Sequence, residues 1–151
     1  MTKEEFKKFC KKYDFDYYAD FKLDGEHFGF ENFQDNCPEK GYVYLWVEEY
    51  KSRVRIIYVG KAEKQTMRSR CYQHSKGDSK IGRTHTAELL AGLKHKSYFV
   101  YARKSQISGD IVHKVDKIVD EDGISMCHVE EQAFIKKLKE RQGPKSLWNK
   151  G

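Results

Sequence analysis

Two apolar runs constrain the fold most: YVYLWV at 42–47 and VRIIYVG at 54–60, separated by the polar EEYKSR. Aromatic and β-branched residues at this density suit buried strands. The polar link is short, so the two runs are most simply an antiparallel pair. A third run, SYFVYAR at 97–103, alternates in the same residue types and adds a third central strand.

Helical patterns surround these strands. Thr2 and Glu5 have the spacing of a capping box, opening a helix over about 3–13 with Phe6, Phe9, Cys10 and Tyr13 on one face. FDYYADFKL and HFGFENF flank an Asp-Gly and read as a hairpin. Helical character is predicted over 64–77, with Met67, Cys71 and Ser75 on one side, and over 84–96, capped by Thr84 or Thr86. Residues 104–123 fit either a helix or an excursion hairpin. SMCHVEEQAFIKKLKERQG is an amphipathic helix ending at Gly143, with Val129, Phe134, Ile135 and Leu138 as its apolar side. The tail PKSLWNKG holds a tryptophan and is expected to dock. The fold class predicted is α+β: a small, mainly antiparallel three-stranded central sheet flanked by helices. Residues 1–40 form a helix and hairpin extension packed on a core of residues 41–151.

The length of 151 residues suits one compact domain. No run of 18 apolar residues is present, and MTKEEFKKFCKKY lacks the apolar centre of a signal peptide. A cytoplasmic protein with no membrane partner is expected. Cysteines at 10, 37, 71 and 127 make no CxxC pair, so they read as free thiols rather than zinc ligands. Charge is unevenly spread. Residues 51–104 carry 14 Lys plus Arg against 3 Asp plus Glu, whereas the rest of the chain is net acidic. A basic middle of this kind suggests a polyanionic partner.

GYVY at 41–44 and YVG at 58–60 resemble the two signature strands of the GIY-YIG nuclease superfamily. The agreement continues in family order. TMRSRCYQH gives Arg70 and His74, one helical turn apart on one face. A helix, a third strand and a helix bearing a glutamate follow, and SLWN ends on Asn149. The resemblance covers roughly residues 41–149. It is closest to short, free-standing endonucleases: type II restriction enzymes and a small phage endonuclease. Arg68 rivals Arg70 for the arginine position. Glu130 rivals Glu131 for the glutamate, and Glu131 is preferred because Ile135 follows it by four residues, as in the family pattern.

The resemblance implies a metal-dependent endonuclease acting on double-stranded DNA. Tyr44 would be the general base, directly or through Tyr58. Tyr58 would orient water and phosphate, and Lys61 would contact the phosphate or a tyrosine oxygen. Arg70 would stabilise phosphoryl charge, and His74 would assist proton transfer. Glu131 would hold Mg2+, for which Mn2+ could substitute, and Asn149 would brace the site. Lys64, Arg68, Lys76, Lys80, Arg83 and Arg103 would bind DNA. The chemistry is coherent on its own terms. A planar guanidinium donates two hydrogen bonds to a phosphoryl group at once. One carboxylate with waters and phosphate suffices for a hard divalent ion. A cationic surround is expected to favour the tyrosine phenolate. One active site cuts one strand, so cleavage of both strands would call for a homodimer or higher homo-oligomer. The competing class is a non-catalytic nucleic-acid-binding module that keeps the fold and the basic patch.

Overall fold

The computed structural model describes residues 1–105 and 126–149. In chain order they form α1 (Lys3–Tyr13), β1 (Asp16–Asp24), β2 (His27–Glu31), β3 (Lys40–Tyr50), β4 (Arg53–Thr66), α2 (Met67–Ser75), α3 (Lys80–Gly92), β5 (Ser97–Lys104) and α4 (Met126–Gln142). The class is α+β, as expected. The sheet, however, has five strands rather than three, in the order β2-β1-β5-β3-β4, all antiparallel. The N-terminal hairpin accounts for the difference. β1 pairs with β5, so residues 16–31 extend the sheet itself.

Alternation in β3 sorts the core into two halves. Tyr42, Tyr44 and Trp46 face α2 and α3, joined by Phe21, Phe28, Met67, Cys71 and Leu89. Val43, Leu45 and Val47 face α1 and α4, packing with Phe6, Phe9, Phe134, Ile135 and Leu138. The motif YVYLWV thus has an aromatic side and an aliphatic side. A strand buried on both faces needs both.

Local signals set the element ends. Thr2 accepts from the Glu5 amide and caps α1 as predicted. The β3–β4 link tightens to a two-residue turn, with Tyr50 opposite Arg53 and Lys51 in the left-handed region at φ 55°. β4 runs on to Thr66, opposite Lys40, so Lys64 and Gln65 are strand rather than helix, and Thr66 caps α2 through the Ser69 amide. The helix expected over 84–96 starts earlier, at Lys80, because Ser79 rather than Thr84 or Thr86 accepts the cap hydrogen bond, from Gly82 N–H. On α4, Phe134, Ile135 and Leu138 are buried as expected, but Val129 is 49% exposed and faces away from the sheet. From 106 onward, the 104–123 segment lies outside the described residues. All four cysteines are buried free thiols. No helix among the described residues is long and apolar enough to cross a membrane.

β4 is an edge strand, and two side-chain amides cover its open backbone. Gln142 accepts from Ile56 N–H at 3.1 Å and donates to Ile56 C=O at 2.9 Å. Asn149 does the same at Val59, with 2.9 and 2.7 Å. Trp148 N–H adds a bond to Ile57 C=O at 2.6 Å. The tail therefore docks as predicted and protects an edge that would otherwise be open to strand addition.

Candidate active site

Register on the aromatic face brings the two motif tyrosines together. Tyr44 lies opposite Gly60, and Trp46 opposite Tyr58. The next pair, however, is Val47 with Ile56, so Ile57 is an extra residue in β4. This bulge changes the strand's phase. Without it Tyr58 would share a face with Ile56, in the aliphatic half of the core. With it, the Tyr58 ring sits 6.1 Å from that of Tyr44 and 4.9 Å from that of Trp46. Gly60 is required for the same reason. A Cβ there would run into the Tyr44 ring, with Cε2 at 2.6 Å.

α2 covers this patch. Its buried side is Met67, Cys71 and His74, and the four-residue spacing places Arg70 one turn before His74. Arg70 Nε donates to the Tyr44 hydroxyl at 3.2 Å, and the Tyr44 oxygen is 2.5 Å from His74 Nε2. His74 Nδ1 is 2.6 Å from Ser79 Oγ, which also accepts from Gly82 N–H. Arg70 Nη1 donates to Gln73 Oε1 at 3.0 Å, and that oxygen also accepts from Gln65. The result is a line running Arg70, Tyr44, His74, Ser79, closed by the start of α3.

Burial dictates protonation along this line. Tyr44 is 1% exposed, and desolvation holds its phenol well above the ordinary value near 10 despite the adjacent Arg70. Tyr58 is also raised, mainly by desolvation and against the pull of Arg70. The expectation that cations would favour a resting phenolate is thus reversed: removing water outweighs the guanidinium. His74 is lowered to about 3 by burial and then by Arg70. It is a neutral imidazole with one donor and one acceptor nitrogen. If Tyr44 donates to Nε2, Nδ1–H donates to Ser79. If Ser79 donates to Nδ1, Nε2–H donates to the Tyr44 oxygen.

Tyr58 occupies the boundary between this buried line and solvent. It is half-buried and lines a cavity of about 440 Å³ with Arg70, Ser79, Lys80, His85, Trp148 and Asn149. Glu131 approaches Tyr58 from α4 and raises its phenol, while Arg70 in turn lowers the Glu131 carboxyl. The net direction for Glu131 is upward, because desolvation exceeds the opposing effects of Lys61, Gln132, His128 and Arg70. Lys61 lies opposite Val43 and so projects to the aliphatic face, where Nζ is 3.2 Å from His128 Nδ1 and 3.3 Å from Glu63. Glu131 therefore acts on Tyr58 by charge rather than by a hydrogen bond, and Lys61 acts on Glu131.

Both ambiguous pairs separate clearly in space. Arg68 lies over the Phe33 ring at 4.0 Å, away from Tyr44, which Arg70 bonds. Glu130 accepts from Arg103 Nη2 at 2.9 Å in a pair whose side chains are only 10% and 14% exposed. Arg103 also donates to Tyr13 C=O and lies over Phe134. Arg103 is therefore a structural cation, not part of a basic surface, whereas Lys64, Arg68, Lys76, Lys80 and Arg83 are exposed. Lys80 lines the cavity at Tyr58, and Arg68, Lys76 and Arg83 line a different groove. Asn149 braces the β4 backbone rather than a tyrosine.

Ser79, Gln73, His85 and Trp148 join the site without being among the site residues expected from the sequence. Ser79 carries a legible signal, a serine three residues before Gly82 at a helix start. Gln73 and His85 have none, and the docking expected of the Trp148 tail does not tell that the ring lines the cavity. His85 stacks on Trp148 at 4.2 Å and 9°, a contact made only when the tail folds back. Compared with known proteins, the chain matches no family model, no curated protein and no solved structure.

Proposed function

We propose that the chain is a phosphodiesterase of the GIY-YIG type, a metal-dependent endonuclease of double-stranded DNA. The observation that carries this reading is the buried hydrogen-bonded line through Arg70, Tyr44 and His74, with the Tyr58 ring packed beside Tyr44 where the cavity opens. A base must reach the proton it takes, and Tyr44 has no access to solvent. Tyr58 is thus the hydroxyl that meets the attacking water, with Tyr44 behind it as the next acceptor. His74, held neutral, can take the Tyr44 proton at Nε2. Burial and Arg70 oppose the imidazolium in the free protein, and an anionic phosphate resting on Arg70 would remove the second of these. Arg70, fixed by Tyr44 and Gln73, is held for charge that develops on the phosphoryl oxygens.

Among the described residues no three His, Cys, Asp or Glu gather around one point. The donor set still fits a hard ion held by one carboxylate, because Glu131 is largely shielded and its carboxyl is raised by desolvation. Glu131 would hold Mg2+ or Mn2+, with waters and phosphate oxygens as the other ligands. Bound there, the ion supplies neutralisation of phosphate charge. Clean cleavage of both strands would require two copies of the chain.

Plasmid nicking in Mg2+, Mn2+ or EDTA tests the reading. Wild type should nick with metal and stop in EDTA, and Tyr58→Phe and Glu131→Ala should be inactive while still binding DNA. Binding without nicking by wild type under all conditions would favour the non-catalytic module instead.

A further inference from the structure

α2 has a second working side. Arg70 and His74 turn toward the tyrosines. Arg68, Ser69, Tyr72 and Lys76 turn the other way, toward the β1–β2 hairpin. Between helix and hairpin lies a groove of about 1040 Å³, more than twice the cavity at Tyr58. Lys22 comes from β1, Phe33 from just beyond β2, and Arg83 from α3.

Two features suit this groove to a polyanion. First, it gathers four cations, Lys22, Arg68, Lys76 and Arg83, on one lining. None of the four forms an ion pair within 4 Å among the described residues, a condition shared with other surface cations such as Lys64 and Lys80. Asp24 is the one carboxylate in the lining. Second, two of the four cations are held on aromatic rings. Arg68 lies 4.0 Å from the Phe33 centroid, and Lys76 Nζ lies 4.6 Å from that of Tyr72. Tyr72 is 59% exposed, the most exposed of the large apolar side chains among the described residues. An exposed ring flanked by unpaired cations is what an unpaired nucleotide strand needs: a stacking surface for a base and charge for its phosphates.

The groove also adjoins the proposed active site. Gly77 lines the groove, and the next two residues, Asp78 and Ser79, line the cavity at Tyr58. A strand leaving that cavity over this turn enters the groove.

We propose that the groove between the hairpin and α2 is a subsite for an unpaired DNA strand, with a base stacked on Tyr72 and phosphates on Lys22, Arg68, Lys76 and Arg83. The substrate class that follows is DNA with a single-stranded segment beside a duplex, such as a flap or a gap. The subsite deepens the nuclease reading, and its test is independent of turnover. Anisotropy of a labelled oligothymidylate and of duplexes with and without a single-stranded arm, all in EDTA, measures binding alone. Tyr72→Ala should weaken binding of the single strand and of the armed duplex by about tenfold or more. Tyr72→Phe should retain it. Arg68→Ala with Lys76→Ala should weaken it and reduce the salt slope by about 1.4. Blunt duplex should be indifferent to Tyr72→Ala. Single-strand binding unaffected by Tyr72→Ala, or lost only on removing the cations, would overturn the subsite even if the protein nicks DNA through Glu131. The expected pattern in a protein that never nicks would uphold the subsite and sink the nuclease.

Discussion

The Tyr44 oxygen lies 2.5 Å from His74 Nε2 at the bottom of the site, while Tyr58, one diagonal step along the sheet, meets the cavity. A buried phenol and a half-buried one are therefore neighbours with different access to water, and substitution should separate their roles. Tyr44→Phe removes the acceptor of Arg70 and the partner of His74 inside the core. It should cost about 1–3 kcal/mol of stability and abolish cleavage. Tyr58→Phe loses a hydroxyl that reaches solvent, so it should cost less than about 1 kcal/mol while abolishing cleavage just as fully. Urea unfolding and single-turnover cleavage measure the two effects. Near-normal cutting by Tyr58→Phe would remove it from the water-contacting role.

His74 should give the fold an acid-sensitive step. Its folded pKa is depressed to about 3 from 6.5, so the unfolded chain takes the proton first. The stabilisation is complete above pH 6.5 and is lost as pH falls from 6.5 toward about 3, at about 1.4 kcal/mol per unit once well below 6.5. Carboxylates titrate in the lower part of this window, so the comparison must be with His74→Gln, which cannot charge. The variant should be less stable at neutral pH yet lose stability less steeply between pH 6 and 4. Parallel slopes in urea titrations across pH would mean that His74 is not held neutral.

Gly60 should tolerate no side chain. Tyr44 is fully buried between β4 and α2, so its ring cannot move aside for the Cβ that Gly60→Ala introduces. Overpacking of this kind costs about 1–3 kcal/mol, and the displaced ring would lose its geometry to Arg70 and His74. Gly143→Ala makes a control, because nothing lies within 4 Å of a Cβ there, although its φ of +106° adds backbone strain. Both should be destabilised in urea, but Gly60→Ala alone should lose cleavage.

Much of this arrangement was legible in the chain. Aromatic and β-branched runs marked β3, β4 and β5, Thr2 marked α1, and the Arg70–His74 spacing placed both on one helical face. What stayed hidden depends on distant partners. Nothing in FDYYADFKL says that it will pair with β5, because strand pairing is chosen by the whole sheet. The bulge at Ile57 is equally silent, since VRIIYVG reads as an unbroken strand, yet it decides which face Tyr58 joins. Arg103 looks like part of a basic patch in the sequence because local charge says nothing of Glu130, 27 residues on. The start of α3 is obscure because Ser79 precedes a stretch, KIGRTHTAELL, whose apolar pattern becomes regular only near its end.

Glu130 and Glu131 should fail in opposite ways. They are adjacent on α4, but Glu130 faces Arg103 while Glu131 faces Lys61 and Tyr58. Removing one partner of a buried pair leaves the other charge stranded and costs about 3–5 kcal/mol. Glu130→Ala should therefore lower stability sharply, with any loss of cleavage following the loss of fold. Glu131→Ala removes a carboxyl already raised by desolvation, so the fold should keep its stability or gain slightly. Cleavage should nevertheless vanish with Mg2+ and with Mn2+, and DNA binding should stay within about threefold of wild type, because affinity comes from the cationic surface. Circular dichroism, urea midpoints and single-turnover cleavage on the two variants give the comparison. A stable Glu130→Ala that does not cut, beside an active Glu131→Ala, would move the metal ligand to the residue that Arg103 holds.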